Sequence, residues 1–213
     1  MENNIKEIIN ILKSTYPDAK CSLNFSTPFE LVVAVCLSAQ CTDERVNKVT
    51  PTLFSRCKTI KDFATIDINE LEKLIHSCGF YKNKAKNIKL CANQILTNFN
   101  GEVPKTMEEL LTLAGVGRKS ANVILLEAFG IANGVAVDTH AKRISNLIGL
   151  SSNTYPHKIE KDLLKIIPHE YLKDINHLFM WHGRNICIAR NPKCSTCPIN
   201  KYCKHYTNNE YFC

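Results

Sequence analysis

Three observations predict an all-α protein. Apolar residues recur at helical spacing along most of the chain. Helix starts are marked by Thr followed three residues later by Glu, at Thr27 and again at Thr106. Strand signals are nearly absent, Gly134-Val-Ala-Val137 being the single short candidate.

Ile5, Ile8, Ile9 and Leu12 fall at i, i+3, i+4 and i+7, giving an amphipathic first helix that stops at Tyr16-Pro17. Thr27-Pro28-Phe29-Glu30 starts the second, with Thr as N-cap, Pro in the first turn and Glu at the third position. That helix is apolar on nearly every side through Ala39, which predicts a place at the centre of the fold. Helices are expected next over about Asp43–Phe54, Ile68–Ser77 and Lys82–Asn98. Thr106 and Glu109 form a capping box for a short helix ending near Leu113. Gly115 and Gly117 allow the positive φ and close approach of a tight turn, and Arg118 to Phe129 resumes helical spacing. Asp138–Leu150, Pro156–Ile167 and a long segment from Glu170 towards Cys187 complete the set, without repeats or low-complexity linkers.

The 213 residues are 45% hydrophobic and 22% charged, which describes a globular chain able to bury a core. A net charge of +7 favours an acidic partner. Met1-Glu-Asn-Asn-Ile-Lys-Glu7 is too polar for a signal peptide, and the longest apolar run, Leu31 to Leu37, is far too short for a bilayer. A soluble, intracellular protein is expected. Cys21, Cys36, Cys41, Cys57, Cys78 and Cys91 then read as reduced thiols, several of them filling the core, and Cys213 as exposed and incidental.

Two stretches carry chemistry. The first is Leu113-Ala-Gly-Val-Gly-Arg-Lys-Ser-Ala121, where glycines framing a helix N-terminus offer backbone N–H groups to a phosphate. A simple helix cap is the plain alternative; Arg118, Lys119 and the later Asp138, able to face Lys119 across a cleft, favour the anion. The second is Cys187-x6-Cys194-x2-Cys197-x5-Cys203, four soft ligands in one short loop stiffened by Pro192 and Pro198. In a reducing compartment this spacing favours a metal over disulfides, with zinc and iron–sulfur both open.

The hairpin and Val137-Asp-Thr-His140 resemble the endonuclease III family of DNA glycosylases, as do Leu37-Ser-Ala-Gln-Cys-Thr-Asp43, Gly101-Glu-Val-Pro104, His182-Gly-Arg184 and the cysteine loop. The resemblance covers nearly the whole chain. It implies two helical lobes flanking a cleft: a six-helix barrel with the helix-hairpin-helix over 22–132, and a helical iron–sulfur lobe from 1–21 and 133–213. It implies a structural [4Fe-4S] cluster on Cys187, Cys194, Cys197 and Cys203, holding up a basic loop with Arg190 and Lys193, and Arg184 just upstream.

The implied activity is that of a bifunctional DNA glycosylase/AP lyase removing oxidised pyrimidines from duplex DNA in base excision repair. Lys119 matches the family's nucleophile. A nucleophilic amine must be neutral, and the helix dipole, Arg118 and partial burial in the cleft would all disfavour its ammonium form. Asp138 is both a natural N-cap and a carboxylate able to stabilise positive charge at the sugar, with His140 and Asp43 as supporting neighbours. Gly115, Gly117, Arg118, Arg184, Arg190 and Lys193 would contact DNA. Gln40 and Phe80 would fill the gap left by an extruded base, in place of an ordinary helix cap and a core aromatic. Phe80 departs from the Leu common among relatives, and Ala114 from a usual Pro, which should loosen the hairpin entry. Cys41 replaces a small residue. The competing readings are a monofunctional adenine mismatch glycosylase, which usually lacks the lysine, and a non-catalytic iron–sulfur DNA-binding protein. A monomer in the cytoplasm, associated with the nucleoid, is expected, and the abundance of Asn, Lys and Ile suggests an AT-rich genome and a bacterial source.

Overall fold

A computed structural model describes residues 2–208, so Cys213 lies outside the described residues. Among the described residues the regular structure is entirely helical. The chain divides into two compact units: one from Ser22–Ile131, the other from the N-terminal 21 residues together with 132 onwards.

The Ser22–Ile131 unit is built around α2 (Pro28–Ser38). Phe29, Leu31 through Val35 and Leu37 are all buried, as its all-round apolarity demands. Its start follows the sequence signal: Glu30 N–H donates to Thr27 Oγ1 at 3.1 Å, and Ser26 N–H to the Glu30 carboxylate at 2.6 Å. Around it stand α3 (Asp43–Arg56), α4 (Ile60–Thr65), α5 (Ile68–Ile75), α6 (Tyr81–Asn98), α7 (Met107–Leu110) and α8 (Arg118–Phe129). α8 packs on α2, and α6 on α4.

Helix α4 is one the apolar periodicity misses, because six residues are too few to show a period. Its signal is the capping box, Asp62 N–H to Thr59 Oγ1 at 3.2 Å and Thr59 N–H to Asp62 Oδ2 at 2.8 Å. α4 supplies the fully buried Phe63, edge-on to Phe29 with ring centroids 5.3 Å apart. Helix α7 stops at Leu110 rather than near Leu113, since the chain must already bend there for Val116 N–H to reach Leu113 O at 3.1 Å.

The second unit comprises α1 (Glu2–Thr15), α9 (Thr139–Ile148), α10 (Pro156–Ile166), α11 (Leu172–Asn185) and α12 (Lys204–Asn208). Ile5, Ile8, Ile9 and Leu12 are fully buried and share a core with Ile144, Ile159, Leu163, Ile175 and Phe179. Burying each such side chain contributes about 1.5–3 kcal/mol. The exposed Lys13–Asp174 ion pair at 2.8 Å, which ties α1 to α11, adds less than about 1 kcal/mol. Val135, Ala136 and Val137 form no strand. They are buried as irregular backbone, with Ala136 N–H donating to Asn176 Oδ1 at 2.9 Å in place of a ladder partner.

Candidate active site and cysteine loop

The hairpin stands on an apolar footing. Leu113 and Val116 are buried, and Val116 and Ala114 line a small cavity with Phe29, Val32 and Ile88. Gly115 has φ +78°, and a Cβ there would come within 3.0 Å of Asn87 Cβ on α6, so a side chain is excluded twice over. Gly117 differs from expectation: its φ is −96° and the space around it is open. It serves as the N-cap of α8 and gives the first N–H groups of the helix no side-chain acceptor of its own. Ala114 does not loosen the hairpin. Its N–H donates to Gln94 Oε1 at 2.8 Å while Gln94 Nε2 donates to Thr112 O at 3.1 Å. A proline lacks that donor.

Lys119 lies on the first turn of α8 with Arg118, and both are exposed. Partial burial was expected for Lys119. The inward face of α8 is instead taken by Ala121, Ile124 and Leu125, and Lys119 points to the other side.

Two loops of the same unit carry backbone strain. Gln40 follows α2 with φ +53°, and Phe80 precedes α6 with φ +46°. A bulky residue in the left-handed region is rare and persists only where surroundings impose it. Phe80 is also 65% exposed, so it is no core aromatic. Asp43, at the start of α3, accepts from Ser22 Oγ at 3.1 Å and so braces the loop after Gln40.

In the other unit Asp138 caps α9, its Oδ1 accepting from Ala141 N–H at 2.7 Å. His140 sits one turn from Arg143, with Nδ1 3.2 Å from the guanidinium, and burial depresses its basicity below the ordinary histidine value. Arg143 also donates to Gly183 O at 3.0 Å and to Cys187 O at 2.6 Å. It therefore joins the Asp138 helix to the first cysteine.

Cys187, Cys194, Cys197 and Cys203 all line one cavity, walled by Ile144, Leu147, Ile148 and Ile199. Burial raises the Cys187 thiol and pushes Cys197 up to about 11, each reinforced by neighbouring cysteines. Such clustered thiols are deprotonated by the metal they bind rather than by solvent. Among the described residues no three Cys, His, Asp or Glu side chains close on one metal-ion position. The four thiols around one apolar cavity fit an iron–sulfur cluster, which they would hold by their sulfurs. His182, which burial depresses to about 4, is 3.5 Å through Nε2 from Cys197 Sγ and 3.1 Å through Nδ1 from Tyr16 OH. Arg184, Arg190 and Lys193 are exposed around this loop.

Residues 33–169 match the family described as HhH-GPD superfamily base excision DNA repair protein, and residues 187–203 the iron-sulfur binding domain of endonuclease III. Endonuclease III of Synechocystis is 53% identical, covering 92% of this chain and 90% of its own. That of Escherichia coli is 40% identical, covering 93% and 94%. The chain belongs to the endonuclease III family. Among solved structures, a non-covalent endonuclease III–DNA complex aligns with a TM-score of 0.92 at 40% identity, over 99% of this chain and 98% of that one. A trapped endonuclease III–DNA covalent intermediate aligns at 0.93 and 40% identity, over 99% of each.

As a member of the endonuclease III family the chain is a bifunctional base excision repair enzyme, a DNA glycosylase with AP lyase activity, and duplex DNA is its partner. It carries a [4Fe-4S] cluster. Among the described residues no helix is long and apolar enough to cross a membrane, and the relatives named here are bacterial. Sequence reasoning missed Lys84 and Gln94 as supports in the first unit, and Arg143 and His182 in the second. His182 stands in the His182-Gly-Arg184 motif, which gave it no role; the signal for Lys84 is a lysine on the apolar stripe of α6, in register with Ile88 and Cys91.

Proposed function

We propose that Lys119 is the amine that attacks damaged nucleotides and that oxidised pyrimidines in duplex DNA are the substrates. The observation that carries the reading is the position of Lys119 on the exposed first turn of α8, beside a helix N-terminus with no side-chain cap. Those N–H groups suit a phosphate flanking the lesion, with Gly115, Gly117 and Arg118 around it. The neutral amine attacks C1′, and the C1′–base bond breaks with its electron pair leaving on the base, which takes up a proton. The nitrogen gives up a proton, and the C1′–O4′ bond opens to a protonated Schiff base with O4′ taking that proton. Loss of a C2′ proton expels the 3′ phosphate, and water releases the lysine.

Asp138 is assigned the charge developing at C1′ and the proton transfers to and from Lys119, with its cap to Ala141 fixing the carboxylate. Supporting this is the bracing of its helix by His140 and Arg143. Gln40 and Phe80 would occupy the gap in the stack after extrusion, and Arg184, Arg190 and Lys193 would hold phosphates. The cluster, on Cys187, Cys194, Cys197 and Cys203, supplies cross-links that shape this basic loop. The enzyme would act as a monomer in the bacterial cytoplasm, at the nucleoid.

Borohydride reduction on thymine-glycol duplex tests the assignment. The unaltered enzyme should become covalently attached to DNA, and Lys119→Gln should not; equal trapping by that variant would reject Lys119 as the nucleophile.

A further inference from the structure

Lys84 is a lysine placed where lysines are costly. Its residue is 4% exposed, and its ammonium donates to two backbone carbonyls, Leu37 O and Cys78 O, each at 2.8 Å. A buried charge requires compensation of this kind. Both acceptors belong to helix ends. Leu37 is in the last turn of α2, and Cys78 closes the single 3-10 turn His76–Cys78. Carbonyls at such ends lack intrahelical donors and carry the negative pole of the helix, so one cation satisfies two of them.

The same two ends release the two strained residues. Gln40, at φ +53°, lies three residues beyond Leu37, and Phe80, at φ +46°, two beyond Cys78. Lys84 holds Phe80 a second time through the main chain, its own N–H donating to Phe80 O at 3.1 Å. A mostly exposed aromatic has little packing to impose a left-handed backbone. Here the constraint comes from below, from one side chain and one amide of Lys84.

We infer that Lys84 is a positioning residue for base extrusion: it sets the spacing and orientation of the Gln40 and Phe80 loops so that both fill the gap in the stack together. The inference rests on the reading of Gln40 and Phe80 as gap-filling groups. Without the ammonium, two buried carbonyls lose their donor and the loops lose their common anchor. A misplacement near 1 Å in such a constellation costs up to about 100-fold in rate.

The test compares Lys84→Met, Lys84→Arg and Phe80→Ala with the unaltered holoenzyme. Three quantities are read: single-turnover release of thymine glycol from duplex, borohydride trapping on a duplex with a preformed abasic site, and melting temperature. Lys84→Met should slow base release by about tenfold or more while trapping on the abasic duplex stays within about threefold, because no base remains to be extruded there. Lys84→Arg should recover most of the loss. Lys84→Met should slow the Phe80→Ala enzyme by less than it slows the unaltered one, since only the Gln40 loop is then left to misplace, a coupling that a merely structural lysine would not give. Parallel loss of both activities together with the melting temperature would overturn the inference. If Phe80→Ala slows base release and Lys84→Met does not, the inference alone falls. If Phe80→Ala leaves base release unchanged, the gap-filling reading falls and takes the inference with it.

Discussion

His182 Nε2 stands 3.5 Å from Cys197 Sγ, and its other ring nitrogen 3.1 Å from the hydroxyl of Tyr16. Tyr16 is raised to about 12, first by burial, and so keeps the hydroxyl proton it can donate to Nδ1. In the tautomer that accepts this bond, the proton of a neutral His182 is on Nε2 and faces the cysteine sulfur. Groups that hydrogen-bond metal ligands orient them and tune metal retention. His182→Phe should therefore lose iron faster than the unaltered protein, followed as decay of the visible cluster absorbance under chelator. Equal decay rates would show that the contact does nothing for the cluster.

Gly183 faces the same region from α11. A Cβ there would lie 2.6 Å from His140 Nδ1 and 2.9 Å from His140 Cβ. Gly183→Ala ordinarily strengthens a helix interior by up to about 1 kcal/mol. Here overpacking should dominate, for a net loss of about 1–2 kcal/mol in a urea titration. His140→Ala should recover part of that loss in the double variant, so the two changes should be non-additive.

Gln94 clamps the hairpin through Ala114 N–H and Thr112 O. Gln94→Leu should cost about 1 kcal/mol, and the Ala114 amide should exchange with solvent markedly faster. Unchanged exchange at Ala114 would place the rigidity of the hairpin elsewhere.

The capping box of α4 sets a pH dependence. The Asp62 carboxylate accepts from the Thr59 and Lys58 amides, and those bonds hold it below the usual carboxylate range. A depressed folded-state value contributes stability that is present above about pH 4, the unfolded value, and lost as pH falls through the folded one. Asp62→Asn should thus be less stable than the unaltered chain at neutral pH, and the gap between urea midpoints should close in acid. A constant gap down to pH 2 would remove the charge from the explanation.

Arg118, Arg190 and Lys193 are all exposed, and each is assigned a phosphate. Removing one should flatten the log–log salt dependence of DNA binding by about one unit, at little cost to the choice of lesion. A slope unchanged by Arg118→Ala would take that residue off the backbone.

Periodicity and caps made most of the helices legible. The first turn of α2 announces itself through Thr27, Pro28 and Glu30, and the apolar face of α1 through Ile5 to Leu12. The motifs likewise exposed the hairpin, Asp138 and the four cysteines, because glycines, caps and ligand spacings are local. What escaped was short or non-local. Six residues of α4 are too few for a period, and Gly117 proved to be an open N-cap where a positive φ was expected.

From the residues alone came an all-helical fold class, a glycine turn with Lys119 behind it, and four thiols in one loop. Tertiary structure decided what supports them: Lys84 between Leu37 and Cys78, Gln94 under Ala114, Arg143 on Cys187, and His182 between Tyr16 and Cys197. The reason is that a cap or a turn is a relation among neighbours within four residues, which sequence records directly. A buried donor finds its acceptor only after the helices pack, and no spacing along the chain records that meeting.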